Sequence, residues 1–199
     1  MTSPVPPAAV RPRAQWPKTT VRVVFGLVWL IDASLKWMPA FRTGYTDALH
    51  EGADGQPSWL NGWFNFWIDL QEPRATFFAY LVAVVETLIA LAVILGFARK
   101  LTYLSAIVFS LLIWSTAEGF GGPYTAGSSD IGTAIIYALV FAALLCFSYY
   151  EGPPRFSLDF YLERRIGWWH RVAEVGSGAS TPRSPSPEPT QSVHRGAMA

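Results

Sequence analysis

The chain has 199 residues, 51% of them hydrophobic and 15% aromatic, with only 15% charged and a net charge of +1; its mean hydropathy is positive, +0.26. That balance excludes an ordinary soluble domain, and the absence of any basic patch excludes a nucleic-acid partner. A single cysteine, Cys146, excludes an intrachain disulfide and a C-x-x-C redox centre.

In chain order, residues 1–19 are rich in Pro and Arg and read as a flexible lead-in. Four apolar runs follow, at about 20–37, 75–97, 101–117 and 131–150. Each is close to the ~20 residues that cross a ~30 Å hydrocarbon core as helix. The expected fold is therefore all-α, an integral membrane four-helix bundle over residues 20–174. The first run is not read as a signal peptide, because no A-x-A site follows it and Asp32 and Lys36 interrupt its core.

Between the first two runs lies a long acidic loop, 38–74, containing SWLNGWFNFWIDL (58–70). Its aromatics suit a short helix in the outer interface, either as a plug packed on the bundle or as the lip of a lipid-side entrance. The three-residue link 98–100 makes runs two and three antiparallel neighbours. After the fourth run, FSLDFYLERRIGWWHRVAE (156–174) reads as a basic amphipathic helix on the cytoplasmic leaflet. The Ser- and Pro-rich tail 175–199 reads as disordered. Arg and Lys flank the N-terminal end, the second link and the fourth run, while the other loops are acidic. The expected location is the cytoplasmic membrane, multi-pass, with both termini cytoplasmic.

An intramembrane charge costs about 2.5–3.5 kcal/mol on insertion scales, so each needs a reason. Asp32 and Lys36 stand i, i+4 with the acid first, the favourable order for an intrahelical pair. Glu86 lies mid-way along the second run, on one face with Ala79, Ala83 and Ala90. Small residues mark close helix approach, so Glu86 is expected to point into the bundle. It is read either as a structural carboxyl or as a proton-handling group.

The stretch WSTAEGFGGPYTAGSSDIGTAIIY (114–137) joins runs three and four through five glycines, two carboxylates and no basic residue. A phosphate cradle fails on charge. Asp130 suits a cap at the head of the fourth run. Glu118 sits at a helix C-terminal end, where the dipole disfavours an anion, and so is assigned to function. Trp114, Glu118, Asp130 and Tyr137 are expected to line one outward-opening cavity, with Asp32, Lys36, Trp37 and Glu86 close to it. The expected catalytic set is Glu86, Asp32, Lys36 and Glu118; the expected pocket set is Trp114, Tyr137, Asp130 and Trp37.

The order of these features resembles the DoxX/DoxD family of small membrane proteins. The carrying pieces are FGLVWLIDASLKWMPAF (25–41), AYLVAVVETLIALAVILGFARKL (79–101), the 114–137 stretch and FSLDFYLERR (156–165). The positions that match the family are Lys36, Glu86, Glu118 and Asp130. In the DoxD branch the resemblance implies a membrane subunit of thiosulfate:quinone oxidoreductase. Other family members are linked to oxidative-stress and thiol redox systems.

Three functions follow as expectations. The first is a quinone-linked oxidoreductase subunit with quinone as substrate or bound cofactor and, as partners, membrane lipid and a second oxidoreductase subunit or a further copy of the chain. The second is a non-enzymatic anchor for a soluble redox protein, and the third a small proton-coupled transporter using Glu86 and Asp32. His50, His170 and His194 all lie outside the apolar runs, so no bis-His haem forms between helices. No metal-ligand cluster and no flavin motif is expected either.

Overall fold

The computed structural model describes residues 16–125, 130–151 and 156–174. The expected lead-in and tail fall mostly or wholly on residues 1–15 and 175–199, which lie outside the described residues, as do 126–129 and 152–155. Every regular element among the described residues is a helix, with no strand. Four long helices, α1 (Trp16–Leu35), α5 (Ala75–Leu95), α6 (Arg99–Ser115) and α7 (Thr133–Glu151), correspond to the four apolar runs. Short helices α2 (Pro39–Thr43), α3 (Tyr45–Ala53) and α4 (Asn61–Gln71) fill the long loop, and α8 (Leu158–Leu162) and α9 (His170–Ala173) follow α7.

Local chemistry explains the boundaries. Pro39 opens α2 at a position where a missing N–H costs nothing. Gly96 ends α5 in the left-handed region (φ 65°), while the Phe97 amide donates back to the Ala92 carbonyl at 2.9 Å. Gly26 lets α1 press on α5, since a Cβ there would lie 2.7 Å from Ile94 Cγ1.

All four long helices feed one core. Trp29 and Ala33 come from α1, Ile89, Ala90 and Val93 from α5, Tyr103 and Ala106 from α6, and Phe141 and Leu144 from α7. Trp29 packs edge-on against Phe141 with ring centroids 4.9 Å apart, a favoured aromatic geometry. The outward faces of the same helices are also apolar: Leu27 and Ile31, Leu88 and Leu91, Leu104 and Val108, and Ile136 and Leu139 are all exposed. A continuous helical run, Ser58–Leu95, is long and apolar enough to cross a membrane, and Thr133–Tyr149 is apolar but shorter.

The aromatic segment of the long loop folds back on one end of this core. Trp63 donates to the Ser115 carbonyl at 2.8 Å, and buried Phe64 meets Phe120 edge-on. Trp59 and Phe66 remain exposed. At the other end the structure corrects an expectation. The segment 156–174 is not one amphipathic helix but two short ones separated by residues 163–169. Asp159, which such a helix would hold at the surface, is fully buried. Its Oδ1 accepts from the Ala98 amide (2.7 Å) and the Trp169 indole (2.9 Å), and its Oδ2 from the Arg99 amide (3.0 Å) and Nε (2.9 Å). One carboxylate thus caps α6 and anchors the segment to the α5–α6 turn.

Candidate ligand cavity between the helices

Helical spacing aims one face of each long helix at a common space. Trp29 and Asp32 on α1 and Lys36 just past its end stand at i, i+3 and i+7; on α5, Phe78, Val82, Val85 and Glu86 share a face; Phe109, Leu112 and Ile113 on α6 and Thr116 at its C-cap do too. With Tyr45 of α3, Trp67 and Gln71 of α4, Glu118, and Ala134 and Tyr137 of α7, these residues enclose a cavity of about 480 Å³. That is the size of a small-molecule site. Most of the wall is apolar, and the charged groups are gathered rather than spread.

Lys36 is the hub of those charges. Its Nζ lies 3.3 and 3.4 Å from the two Asp32 oxygens and 3.9 Å from Glu86 Oε2. It also stands 5.5 Å from the centre of the Phe41 ring, within cation–π reach. Glu86 is only 1% exposed. Ala79, Ala83 and Ala90 beside it are wholly buried, which lets neighbouring helices close over the carboxyl. Among the described residues Glu86 Oε2 has no hydrogen-bonding partner, and neither do the indole nitrogens of Trp29 and Trp67. A buried polar atom without a partner costs about 1–3 kcal/mol. An acceptor and two donors of that kind, all on residues lining one cavity, are groups suited to a polar ligand.

Glu118 closes the cavity near the start of α7. Both its oxygens accept from the Ala134 amide, at 3.1 and 2.9 Å. The carboxylate therefore caps α7 from another element, where the helix dipole welcomes it. Burial raises the Glu118 pKa above the ordinary carboxyl value, against the opposing pull of the Ala134 and Thr133 amides. Gly132 makes this approach possible: with φ at +89°, a Cβ there would sit 2.6 Å from Glu118 Oε2 and 2.9 Å from the Trp114 ring. Gly121 (φ +75°) plays the same part against the Ile131 backbone, 2.1 Å from where its Cβ would be. The glycines of this loop make room for close packing of backbone and carboxylate.

Of the eight residues expected at the site, Asp32, Lys36, Glu86, Glu118 and Tyr137 line the cavity. Trp37, Trp114 and Asp130 do not. The Trp37 indole donates to Thr87 Oγ1 at 3.1 Å on the outer surface. Trp114 donates to the Ile131 carbonyl at 2.8 Å and meets Phe120 edge-on, bracing the loop. Asp130 accepts from the Gly132 amide at 2.7 Å within its own exposed turn, so the capping expected of it falls to Glu118. Trp29, Trp67, Tyr45 and Gln71 were not anticipated. Trp29 was legible as the i−3 neighbour of Asp32 on one helical face. The other three come from α3 and α4, where Tyr45 hydrogen-bonds Gln71 in the buried interior, and no local pattern connects them to the long helices. Among the described residues no group of His, Cys, Asp and Glu is placed to hold a metal ion.

Comparison with curated proteins and with solved structures returned no match. The DoxX family model matches residues 18–119, more than half of the chain. That stretch carries the cavity residues Asp32, Lys36, Glu86 and Glu118 and the helix able to cross a membrane. The chain belongs to the DoxX family, a membrane-associated family.

Proposed function

We propose that this protein is a four-span membrane subunit of a quinone-linked oxidoreductase, with both termini cytoplasmic and the cavity in the outer half of the bundle. The apolar outward faces of all four long helices support the membrane bundle. The observation that carries the functional reading is the pairing of apolar walls with unpartnered polar atoms, Glu86 Oε2 and the Trp29 and Trp67 indoles. A quinone ring needs flat apolar walls, donors for its carbonyls, and a route for protons. The two indoles serve as donors, and the Tyr137 ring, 4.9 Å from Trp29, as a wall. Glu86 delivers protons, and Lys36 holds Glu86 and Asp32 in place.

The electron donor class is thiosulfate. Two thiosulfate ions joined through a new S–S bond release two electrons, and with two protons these convert the quinone to its quinol. The second oxidoreductase subunit binds the donor from outside.

The test is purification in mild detergent, followed by extraction of bound quinone and assay of thiosulfate-dependent quinone reduction. Bound quinone and turnover that falls in Glu86→Gln support the reading. A chain without quinone that retains a soluble redox protein instead makes it a membrane anchor. Topology is tested in a Cys146→Ala background with Ser58→Cys and Arg165→Cys. The first should label from outside and the second only after permeabilisation; labelling of both from one side refutes the orientation.

A further inference from the structure

At the opposite end of α1 from Lys36 lies a second buried charge, Arg22, only 4% exposed. Its Nη2 donates to the Phe156 carbonyl at 2.8 Å, while Nε and Nη1 have no hydrogen-bond partner among the described residues. The guanidinium rests against Gly96, where a Cβ would fall 1.6 Å from Nη1, so only glycine leaves it room.

Among the described residues Arg22 has no ion-pair partner of its own. Arg22 and Arg99 are both buried; the buried Asp159 acts on Arg22, while Glu163 acts on Arg99. Asp159 is fully subscribed: its oxygens hold Arg99 twice, the Ala98 amide and the Trp169 indole. Its ion pair is with Arg99, at 2.9 Å. Arg22 is left with a full positive charge and two unmet donors, an arrangement that is costly unless an anion completes it.

Beside Arg22 opens a groove of about 370 Å³, lined by Thr19, Thr20, Val24, Ile94 and Phe156 as well as by the arginine. Val24 and Phe156 at its edge are themselves exposed, so its walls continue into the apolar outer face of α1. A groove with Arg22 in its lining and an apolar flank suits a phosphate ester that carries hydrocarbon. Guanidinium forks match phosphate oxygens well.

We propose that this groove binds a phosphate anion, supplied by the headgroup of an anionic phospholipid with its chains along Val24 and Ile94. The site is separate from the cavity and does not depend on quinone chemistry. The anion chemistry alone is shared with inorganic phosphate.

The test uses the full chain in detergent. Wild type is titrated with dioleoylphosphatidylglycerol, dioleoylphosphatidylcholine and inorganic phosphate, and bound lipid is read by native mass spectrometry and by the shift in Tm. Phosphatidylglycerol should bind about tenfold tighter than phosphatidylcholine, and Arg22→Gln should remove that preference. Arg165→Gln, an exposed charge near the same end, should leave it intact. Val24→Trp, which fills the groove mouth and keeps the arginine, should weaken phosphatidylglycerol but not inorganic phosphate. If Arg22→Gln fails to fold, Val24→Trp and the wild-type titrations still decide. Stabilisation by inorganic phosphate without a phosphatidylglycerol preference keeps the anion site but draws its ligand from water. Equal binding of both lipids with no effect of phosphate, or an undiminished preference in Arg22→Gln, overturns the proposal.

Discussion

Glu118, just beyond the end of α6, accepts the Ala134 amide at the head of α7 with both carboxylate oxygens, at 3.1 and 2.9 Å. One side chain thereby ties two antiparallel helices together and forms part of the cavity wall. Because the cap spans the loop, its loss loosens the loop and the helix start together. Glu118→Ala should lower stability by about 1 kcal/mol. Gly132→Ala should cost at least as much, since the new methyl meets both Glu118 and Trp114 at a positive φ. Thermal melting in detergent checks both; a Gly132→Ala variant as stable as wild type would contradict the packing described.

Lys36 lies between Asp32 and Glu86, so the three single removals are not equivalent. Lys36→Met leaves two carboxylates facing each other and should destabilise by about 1–3 kcal/mol, more than Asp32→Asn. Adding Glu86→Leu to Lys36→Met should recover part of the loss, because the pair disappears together. Strictly additive effects in the double-mutant cycle would show that Lys36 and Glu86 are not coupled.

Two glycines in neighbouring helices should respond in opposite ways. A Cβ on Gly52 of α3 would lie 2.2 Å from the Thr116 carbonyl oxygen, whereas one on Gly62 of α4 meets nothing within 4 Å. Gly52→Ala should push α3 away from the end of α6 and lower Tm clearly. Gly62→Ala should be neutral or stabilising, by up to about 1 kcal/mol from helix propensity alone. Equal responses would mean that α3 does not pack against α6 as described.

Glu163, beyond the four long helices, carries a pH dependence of stability. Burial, with Glu174 adding repulsion, raises its pKa from 4.5 to about 7, while Arg99 and His170 pull the other way and Asp159 adds to the rise. The folded protein holds this proton more tightly than the unfolded chain does. The stabilisation is therefore full below pH 4.5 and is lost as pH rises to about 7. Subtracting the Glu163→Gln melting curve from that of wild type should isolate a decline over that window. Parallel curves would remove Glu163 as its source.

Much of the architecture is written locally. Apolar run length marks the four long helices, Gly96 ends α5, Pro39 opens the short α2, and an i, i+4 step pairs Asp32 with Lys36. The alanine stripe around Glu86 already says that its carboxyl faces inward. Such signals survive in sequence because they depend on neighbours within a turn or two of helix.

The tertiary structure decided what no such spacing encodes. Two carboxylates flank the glycine loop, and only the close approach permitted by Gly132 selects Glu118 over Asp130 as the α7 cap. Asp159 reads as one charge on an amphipathic face until the chain folds. It then caps backbone amides some 60 residues earlier, at Ala98 and Arg99, and the helix expected around it breaks into two. Trp67 and Tyr45 enter the cavity from a segment whose pattern says only that it is aromatic. The physical reason is the same in each case: a cap, an ion pair or a cavity wall needs atoms within about 3–4 Å, and for residues far apart in the chain that distance is set by packing, not by helical period.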